Sequence, residues 1–390
     1  MSLYSSVFLL IDFGIFTISE YTFLLALLVF ALSLVDIYFY KAYFLKIPKL
    51  APKIPENSEQ QEPVSVIVCL RNEIENLRLL IPALLEQDYP EFEIILVADR
   101  SDAFTLSFLQ QQKDRFGRIK VLEIKETPDG LSPKKYALGL GIQAAKHSIL
   151  LFTDADCLPA GNKWISTMAS FYASPKIDIV LGYGAYMQKS DYLNLLIRFD
   201  TLFTAAQYFG MALAGKPYMG VGRNLSYRKA LFEKNDGFGP HLNILAGDDD
   251  LFVNRVANPR NVAVCLDPDS FTISIPKENW KEWVSQKSRH FSVSSFYKQS
   301  DQLRLLYLNA SRSMAWILLM VLFLIPEGFG LAFFLLVYRF MFRIGPLKRV
   351  SQALREDIWV LALPVLDFVH SIAVFAIAIQ ARFSERKTWM

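Results

Sequence analysis

The stretch SILLFTDADCLP at residues 148–159 decides the fold of this chain. Its first six residues are mostly apolar, which is typical of a short buried strand. Asp154 and Asp156 follow directly, with one small residue between them. Two carboxylates at the end of an extended strand can reach one hard metal ion, directly or through water. The stretch therefore predicts a strand that ends in a pair of metal ligands, and a solvated turn is the simpler alternative.

Similar strand patterns precede this stretch at residues 64–70 (VSVIVCL), 93–98 (EIILVA) and 119–124 (IKVLEI). Helical patterns separate them. Residues 74–85 repeat apolar side chains at i, i+3, i+4, i+7 and i+8, and residues 133–146 begin with a proline after a serine. This alternation predicts an α/β fold with a mostly parallel, doubly wound sheet. Ligands of such sheets bind beyond the carboxyl ends of the strands.

The composition points to a soluble domain joined to membrane helices. The 390 residues are 53% hydrophobic and 20% charged, which is too apolar for an ordinary soluble enzyme and too charged for a pure membrane bundle. The net charge of +3 gives no case for nucleic acid as the main partner. The three cysteines lack CxxC or Cys/His spacing, so they predict neither a disulfide framework nor a zinc site.

An apolar stretch at residues 21–40 predicts a membrane helix, because about 20 residues cross a bilayer. It carries one acidic residue, Asp36. Lysines follow it closely, whereas residues 1–20 contain neither Lys nor Arg. The positive-inside rule therefore places the segment before the helix outside the cytoplasm and the segment after it inside. A cleaved signal peptide fits less well, since no basic region precedes the stretch.

A second apolar region, 313–342, is interrupted by Pro326, Glu327 and Gly328 into two halves of about a dozen residues. A hairpin fits better than one crossing, because the basic residues that follow then stay in the cytoplasm. The predicted segments are an extracytoplasmic 1–20, a transmembrane helix 21–40, a basic flank and linker 41–62, a soluble domain 63–276, an amphipathic interfacial segment 277–312, a transmembrane hairpin 313–342, a basic cytoplasmic loop 343–358, a transmembrane or re-entrant helix 359–380 and a basic tail 381–390.

Two features of these flanking segments allow two interpretations each. Asp367 and His370 share one helical face. They form either a functional pair at membrane depth or, more simply, a satisfied pair between helices or an interfacial position. Trp280, Trp283 and neighbouring aromatic residues alternate with lysines. They form either an element on the membrane surface or part of the domain core.

Polar residues also follow the earlier strand patterns, with Glu73 after the first and Asp99 after the second. The chain has neither GxGxxG nor GxxxxGK[ST] to hold phosphates. An anionic diphosphate beside these carboxylates would be repelled, so a divalent cation is needed between them. Oxygen ligands of this kind fit Mg²⁺ or Mn²⁺, which also bridge to substrate phosphates.

Seven segments in order over about residues 63–295 resemble a membrane-integrated glycosyltransferase of family 2 with the GT-A fold. They are VSVIVCLRNEIENL, the turn at Asp99, KKYALGLGI, FTDADCLPAGNKWI, GVGRNLSYRKALF, AGDDDLFVNRV and QKSRH. The resemblance implies an inverting transfer of a sugar from a nucleotide-sugar donor, a UDP-sugar, to a lipid-linked or glycan acceptor. It also implies an integral protein of a bacterial inner membrane, with the catalytic domain facing the cytoplasm and contacting the lipid bilayer.

The resemblance also implies the roles of the residues nearest the donor. Glu73 and Asp99 match positions that bind the nucleobase and ribose, and Asp154 and Asp156 match the metal and diphosphate motif. Lys134 or its neighbour Lys135 approaches the nucleotide, or either lies on a solvated helix face.

In the acidic segment, Asp248 aligns with the catalytic aspartate of the family, which acts as general base. Gly247 stands where the family has glutamate, so Asp249 is the alternative. The three aspartates are also suited to cap the following helix. Gln286 and Arg289 match the family's QxxR motif, share a helix face, and bind the donor, with Arg289 suited to phosphate.

Two other classes of protein remain possible from the sequence. A membrane-anchored binding or scaffold protein with a degenerate GT-A domain would explain the missing glutamate and the His290 that replaces the family's tryptophan. A nucleotidyltransferase would share acidic metal ligands on a similar sheet, but it would lack the acidic and QxxR segments.

Overall fold

The computed structural model describes residues 10–12, 17–49 and 61–383. Most of the predicted segment 1–20, residues 50–60 of the predicted linker, and residues 384–390 of the tail lie outside the described residues.

The strands are β1 Leu10–Asp12, β2 Thr17–Ser19, β3 Val64–Leu70, β4 Phe92–Asp99, β5 Ile119–Ile124, β6 Ile149–Phe152, β7 Cys157–Pro159, β8 Ile179–Leu181, β9 Gly184–Tyr186, β10 Leu225–Arg228, β11 Val262–Val264 and β12 Thr272–Ser274. The helices are α1 Glu20–Ala42, α2 Ile74–Leu85, α3 Ala103–Arg115, α4 Pro133–Ala144, α5 Trp164–Ala169, α6 Tyr192–Leu213, α7 Lys229–Lys234, α8 Asp250–Val256, α9 Trp280–Val293, α10 Gln299–Leu324, α11 Phe329–Ala353 and α12 Leu363–Phe383.

The soluble domain is built on a seven-stranded sheet with the order β11-β8-β10-β6-β3-β4-β5. Strands β6, β3, β4 and β5 are parallel, and β10 runs antiparallel between β6 and β8. The predicted mostly parallel α/β sheet is therefore confirmed. Strand β3 is almost entirely buried because one face packs against α2 and the other against α4, which explains its continuous apolar sequence.

A smaller sheet with the order β7-β12-β9 lies beside the large one. Its strand β7 begins at Cys157, directly after Asp156. Strand β12 pairs with β7 through Ser274 and Cys157 and runs parallel to β9. The two sheets therefore fix the chain on both sides of the Asp154 to Asp156 turn.

Four helical segments among the described residues are long and apolar enough to cross a membrane, at Glu20–Ile47, Gln299–Leu324, Pro326–Ala353 and Val360–Gln380. Helices α10 and α11 are 26 and 25 residues long, so each is about twice the length predicted for the halves of the hairpin. Residues 343–353, predicted as part of a basic loop, continue α11.

Two basic side chains of α11 are neutralised inside the helix bundle, which explains why the helix continues past residue 342. Arg339 and Arg343 are 0% and 3% exposed and lie close to Asp36 of α1, at 3.4 Å and 3.3 Å. Arg343 also pairs with Asp367 of α12 at 2.6 Å. Because acidic partners surround them, these arginines need no contact with water, and the helix continues through them.

Asp367 and His370 form a satisfied pair of inter-helix contacts, which was one of the two interpretations. Asp367 accepts from Arg312 of α10 at 2.8 Å, and His370 lies between Arg312 and Asp200 of α6. Asp200 pairs in turn with Lys287 of α9 at 3.0 Å. A continuous set of buried charges thus joins the apolar helices to the helix of the predicted QxxR motif.

The aromatic residues near α9 divide between the two interpretations. Trp283 is 1% exposed and packs with Leu193 and Ile377, so the core interpretation holds for it. Trp280 and Phe296 are exposed. These two side chains stay available for the predicted membrane surface.

Candidate active site

A cleft at the carboxyl ends of β3 and β6 brings together four of the predicted site residues. Lys134 of α4, Asp154 after β6, and Asp248 and Asp249 before α8 all line it. Cys69 near the end of β3 and Gly222 before β10 also line it. The cleft lies where ligands of doubly wound sheets bind.

Lys134 bridges the two acidic groups of this cleft. Its Nζ lies 3.1 Å from Asp154 Oδ1 and 3.1 Å from Asp248 Oδ2. Burial alone would lower the pKa of Lys134, but Asp154 and Asp248 outweigh burial and hold that pKa well above its usual value. The alternative of a solvated helix face is therefore excluded for Lys134. Lys135 is also buried, at 1% exposure, but against the loop that precedes Asp248.

Asp154, Asp156 and Cys157 form a group that fits a metal ion. One potential ligand atom of each lies within 4.8 Å of the others. The two carboxylates are partly exposed and supply hard oxygen ligands, as Mg²⁺ and Mn²⁺ prefer. Burial and then the charge of Asp154 raise the pKa of Asp156. A dication would relieve this repulsion between carboxylates.

The three consecutive aspartates have different partners. Asp248 pairs with Lys134, while Asp249 caps α8 by accepting from the Asp250 N–H and also accepts from the Gly222 N–H. Asp250 accepts from the Tyr297 hydroxyl at 2.6 Å. Burial, and then the charge of the preceding aspartate, raises the pKa of Asp249 to about 6 and that of Asp250 to about 7. Capping and a role in the cleft are therefore combined in one segment.

Glu73 and Asp99 end neighbouring parallel strands but do not line the cleft of Lys134. Asp99 is 2% exposed, and both of its oxygens accept from the guanidinium of Arg100 at 2.9 Å. Glu73 accepts from Asn76 at 2.6 Å. The structure thus places both carboxylates at the same sheet edge, Glu73 in the loop after β3 and Asp99 at the end of the neighbouring β4.

Gln286 and Arg289 lie on α9, and neither is among the residues that line the cleft. Gln286 donates to the Tyr186 hydroxyl at 3.2 Å, and Arg289 lies three residues further along the helix and is partly exposed. The Tyr186 ring in turn lies 4.3 Å from the guanidinium of Arg223. Tyr186 therefore links the QxxR helix to the strand-end residues.

Arg223 was not identified as a candidate from the sequence, although it lies within the GVGRN segment. Its Nη1 donates to Ser274 Oγ at 3.2 Å. Burial and the charge of Asp154 raise the pKa of Asp156, and the charges of Arg223 and Lys277 offset part of that rise. A single arginine in a loop carries no periodic signal, and its contact with Ser274 of β12 depends on the fold.

Comparison with known proteins assigns the chain to a family. The family model described as "Glycosyltransferase like family 2" matches residues 61–292, which is more than half of the chain. The chain therefore belongs to glycosyltransferase family 2.

Two curated relatives match shorter parts of it. The probable glycosyltransferase YdaM of Bacillus subtilis is 27% identical over 264 residues, which cover 63% of this chain and 59% of the relative. Poly-beta-1,6-N-acetyl-D-glucosamine synthase of Staphylococcus epidermidis is 26% identical over 142 residues, which cover 36% of this chain and 33% of the synthase. The match thus spans less than two thirds of either relative.

A solved structure shares the fold over nearly its whole length. The mannosyltransferase PcManGT of Pyrobaculum calidifontis, solved with GDP-Man and Mn²⁺, superimposes with a TM-score of 0.58 at 17% identity. The superposition covers 94% of this chain and 99% of that one. The chain therefore has a GT-A-like α/β fold, joined within the part that the structure describes to four long apolar helices.

Proposed function

We propose that this chain is an inverting, metal-dependent glycosyltransferase that moves a sugar from a UDP-sugar to a membrane-associated lipid or glycan acceptor. The supporting observation is the bridge that Lys134 makes between Asp154 and Asp248. Asp154 at the strand end and Asp248 of the acidic segment both border one cleft, which supports the proposal. A donor diphosphate bound beside Asp154 would then present its sugar to Asp248.

Asp154 and Asp156 would hold Mg²⁺ or Mn²⁺, and a bound ion would supply charge neutralisation for the departing diphosphate. Lys134 and Arg223 add positive charge to the same side of the cleft. On the donor side we assign Glu73 and Asp99 to the nucleoside, and Gln286 and Arg289 to the diphosphate and sugar. Bidentate contacts make Arg289 suited to phosphate.

Asp248 is the proposed general base. It would accept the proton of an acceptor hydroxyl as that oxygen forms a bond to the anomeric carbon and the bond from this carbon to the diphosphate oxygen breaks. The acceptor attacks from the face opposite the leaving nucleoside diphosphate, so the configuration inverts. Asp249, in the same cleft, is the alternative base.

The apolar helices support a membrane-associated acceptor. Four of them among the described residues are long enough to cross a bilayer, and α12 packs directly against α6 and α9 of the site domain. We place the protein in a bacterial inner membrane with the catalytic domain facing the cytoplasm. A lipid-linked acceptor would then reach the cleft from the bilayer without entering bulk water.

Mass spectrometry of membrane lipids tests this function. Membranes containing the protein are incubated with Mn²⁺ and, one at a time, UDP- and GDP-linked sugars, and extracted lipids are compared with those from membranes that contain the Asp156→Asn variant. The proposal predicts a product heavier by one or more sugar residues only with the unaltered protein and a UDP-sugar. If no donor gives a product dependent on the protein, a scaffold role is favoured instead.

A further inference from the structure

Lys135 is a buried lysine next to the bridging Lys134, and its side chain is 1% exposed. Its Nζ donates to the backbone carbonyls of His241 at 2.8 Å, Ile244 at 2.9 Å and Ala246 at 2.7 Å. An ammonium group has three N–H donors, so all of them can be used within this one loop. The lysine is therefore a cross-link between the first turn of α4 and the loop.

Ser132, the residue before α4, strengthens the same contact. Its backbone N–H donates to the Leu242 carbonyl at 2.8 Å, and its hydroxyl donates to the Leu245 carbonyl at 3.1 Å. Loop carbonyls of this kind would otherwise need solvent or other donors. The start of α4 thus supplies hydrogen bonds along the whole of residues 241–246.

This loop leads directly into the acidic segment through Gly247. Gly247 has φ +84°, and a Cβ at this position would come within 2.7 Å of Leu251 and of Val293 on α9. The backbone at Gly247 is therefore held on one side by the hydrogen bond from Lys135 to Ala246, and on the other it packs closely against Leu251 and Val293. Asp248 follows at once, so the position of its carboxylate depends on how the loop is held.

We propose that Lys135 is a positioning residue that fixes Asp248 and Asp249 opposite Asp154. This role rests on the proposed function, because it matters for turnover only if the acidic segment acts on the acceptor. The two lysines of α4 then have different roles. Lys134 contacts the carboxylates of Asp154 and Asp248, and Lys135 holds the backbone that leads into Asp248. Removing the three donors would release the loop and misplace the base.

The test compares Lys135→Met with Lys229→Met in the full-length protein. Methionine has a similar length to lysine but no donor. Lys229 offers a matched control, because its Nζ also donates to a backbone carbonyl, that of Ala145 at 2.7 Å, beyond the opposite end of α4. The measurements are amide hydrogen exchange of residues 239–250, UDP affinity with Mn²⁺, and kcat and KM for the donor.

For Lys135→Met we expect faster exchange confined to residues 239–250 and a fall in kcat of about 10- to 100-fold, as misplacement of a reacting group produces. The UDP affinity and donor KM stay unchanged, and Lys229→Met behaves like the unaltered protein. Exchange and kcat equal to those of the unaltered protein, or faster exchange over the whole domain, would overturn the positioning role.

Two further outcomes keep this inference separate from the proposed function. If the unaltered protein transfers no sugar, the proposed function fails, and so does the role of Lys135 in turnover. If Lys135→Met does not fold, Ser132→Ala replaces it, since this variant removes only the bond to the Leu245 carbonyl. A smaller rise in loop exchange with a smaller fall in kcat supports the proposal, and no change in either overturns it.

Discussion

At the scale of single residues, the acidic segment offers two candidate bases with different surroundings. Asp248 pairs with Lys134, whereas Asp249 is occupied by the backbone N–H groups of Gly222 and Asp250. A carboxylate that already accepts two backbone hydrogen bonds is better placed to cap a helix than to take a proton from an acceptor. The geometry thus favours Asp248.

The comparison of Asp248→Asn with Asp249→Asn tests this choice. Loss of a general base typically lowers turnover by about 10²- to 10⁴-fold, so we expect Asp248→Asn to lose most transfer while it still binds UDP with Mn²⁺. Asp249→Asn should retain more activity but melt at a lower temperature, because the cap of α8 is weakened. If Asp249→Asn alone abolishes turnover, the base is Asp249.

Asp250 predicts a pH dependence of stability. Its pKa is raised to about 7, against about 3.9 in an unfolded chain, so the folded state holds an extra proton between these pH values. The stability that this extra proton gives the folded protein is fully present below about pH 4 and is lost as the pH rises through 7.

Thermal melts in EDTA between pH 4.5 and 8 check this prediction. The unaltered protein should lose stability as the pH rises, and Asp250→Asn, which cannot titrate, should show a shallower decline. The amide oxygen that this substitution introduces can still accept from the Tyr297 hydroxyl. Equal slopes for the two proteins would show that Asp250 titrates normally.

Sequence reasoning identified the residues of the cleft but not their contacts. Asp154, Asp248 and Lys134 each lie in a motif or directly after a strand pattern, and parallel strands bring such positions to one sheet edge. The sequence offered Lys135 only as an alternative to Lys134 near the nucleotide, and Arg223 was not assigned, because their partners are loop backbone atoms and a residue of the small sheet. Such contacts leave no periodic trace in the sequence.

At the scale of elements, buried charges connect α10, α11 and α12. Asp367 accepts from Arg312, Arg343 and Trp316 at 2.6–2.9 Å. Neither arginine has access to water, since they are 1% and 3% exposed. Asp367 is the acidic partner that both arginines share, and Arg343 also pairs with Asp36 at 3.3 Å.

We expect Asp367→Asn to destabilise the protein by about 3–5 kcal/mol, because it leaves two buried arginines without their shared counter-charge. Thermal unfolding in detergent micelles measures the effect. Asp357→Asn is the control, because Asp357 is exposed in the loop before α12. Equal melting temperatures for the two variants would contradict the importance of the buried charges.

The elements also show where sequence patterns fail. Strands β3 and β5 and helix α2 have the predicted bounds, because period and apolar content define them locally. The sequence predicts that the second helix of the hairpin ends at residue 342, whereas α11 continues to Ala353. The predicted end is too early because the positive-inside rule treats basic residues as exposed. Arg339 and Arg343 instead pair with Asp36, which lies some 300 positions away in the sequence.

At the scale of the whole molecule, the proposed orientation of the protein in the membrane can be measured. Glu327 lies in the turn between α10 and α11, and Asp129 lies in an exposed loop of the soluble domain. If the catalytic domain faces the cytoplasm, these two positions are on opposite sides of the membrane.

Single cysteines at these positions, in a chain whose own three cysteines are replaced by serine, test the orientation. A membrane-impermeant maleimide should label Glu327→Cys in intact bacterial cells and label Asp129→Cys only after the cells are opened. Labelling of Asp129→Cys in intact cells would reverse the orientation.

The fold class was predictable because alternating strand and helix patterns leave few topologies. The antiparallel insertion of β10 and the three-stranded sheet were not, because these strands are only 3–4 residues long and carry little pattern. These short strands nevertheless position the carboxylates and Arg223. The site therefore depends on these short strands, which are the part of the fold that the sequence predicts least well.

Titration calorimetry of UDP measures whether Asp154 and Asp156 hold a dication against a diphosphate. We expect the unaltered protein to bind UDP at least about tenfold more tightly with Mn²⁺ than with EDTA, a difference of about 1.4 kcal/mol. Asp156→Asn should lose this difference, and Asp178→Asn, a control at the opposite end of β8, should keep it. Equal affinity of the unaltered protein in Mn²⁺ and in EDTA would contradict the claim.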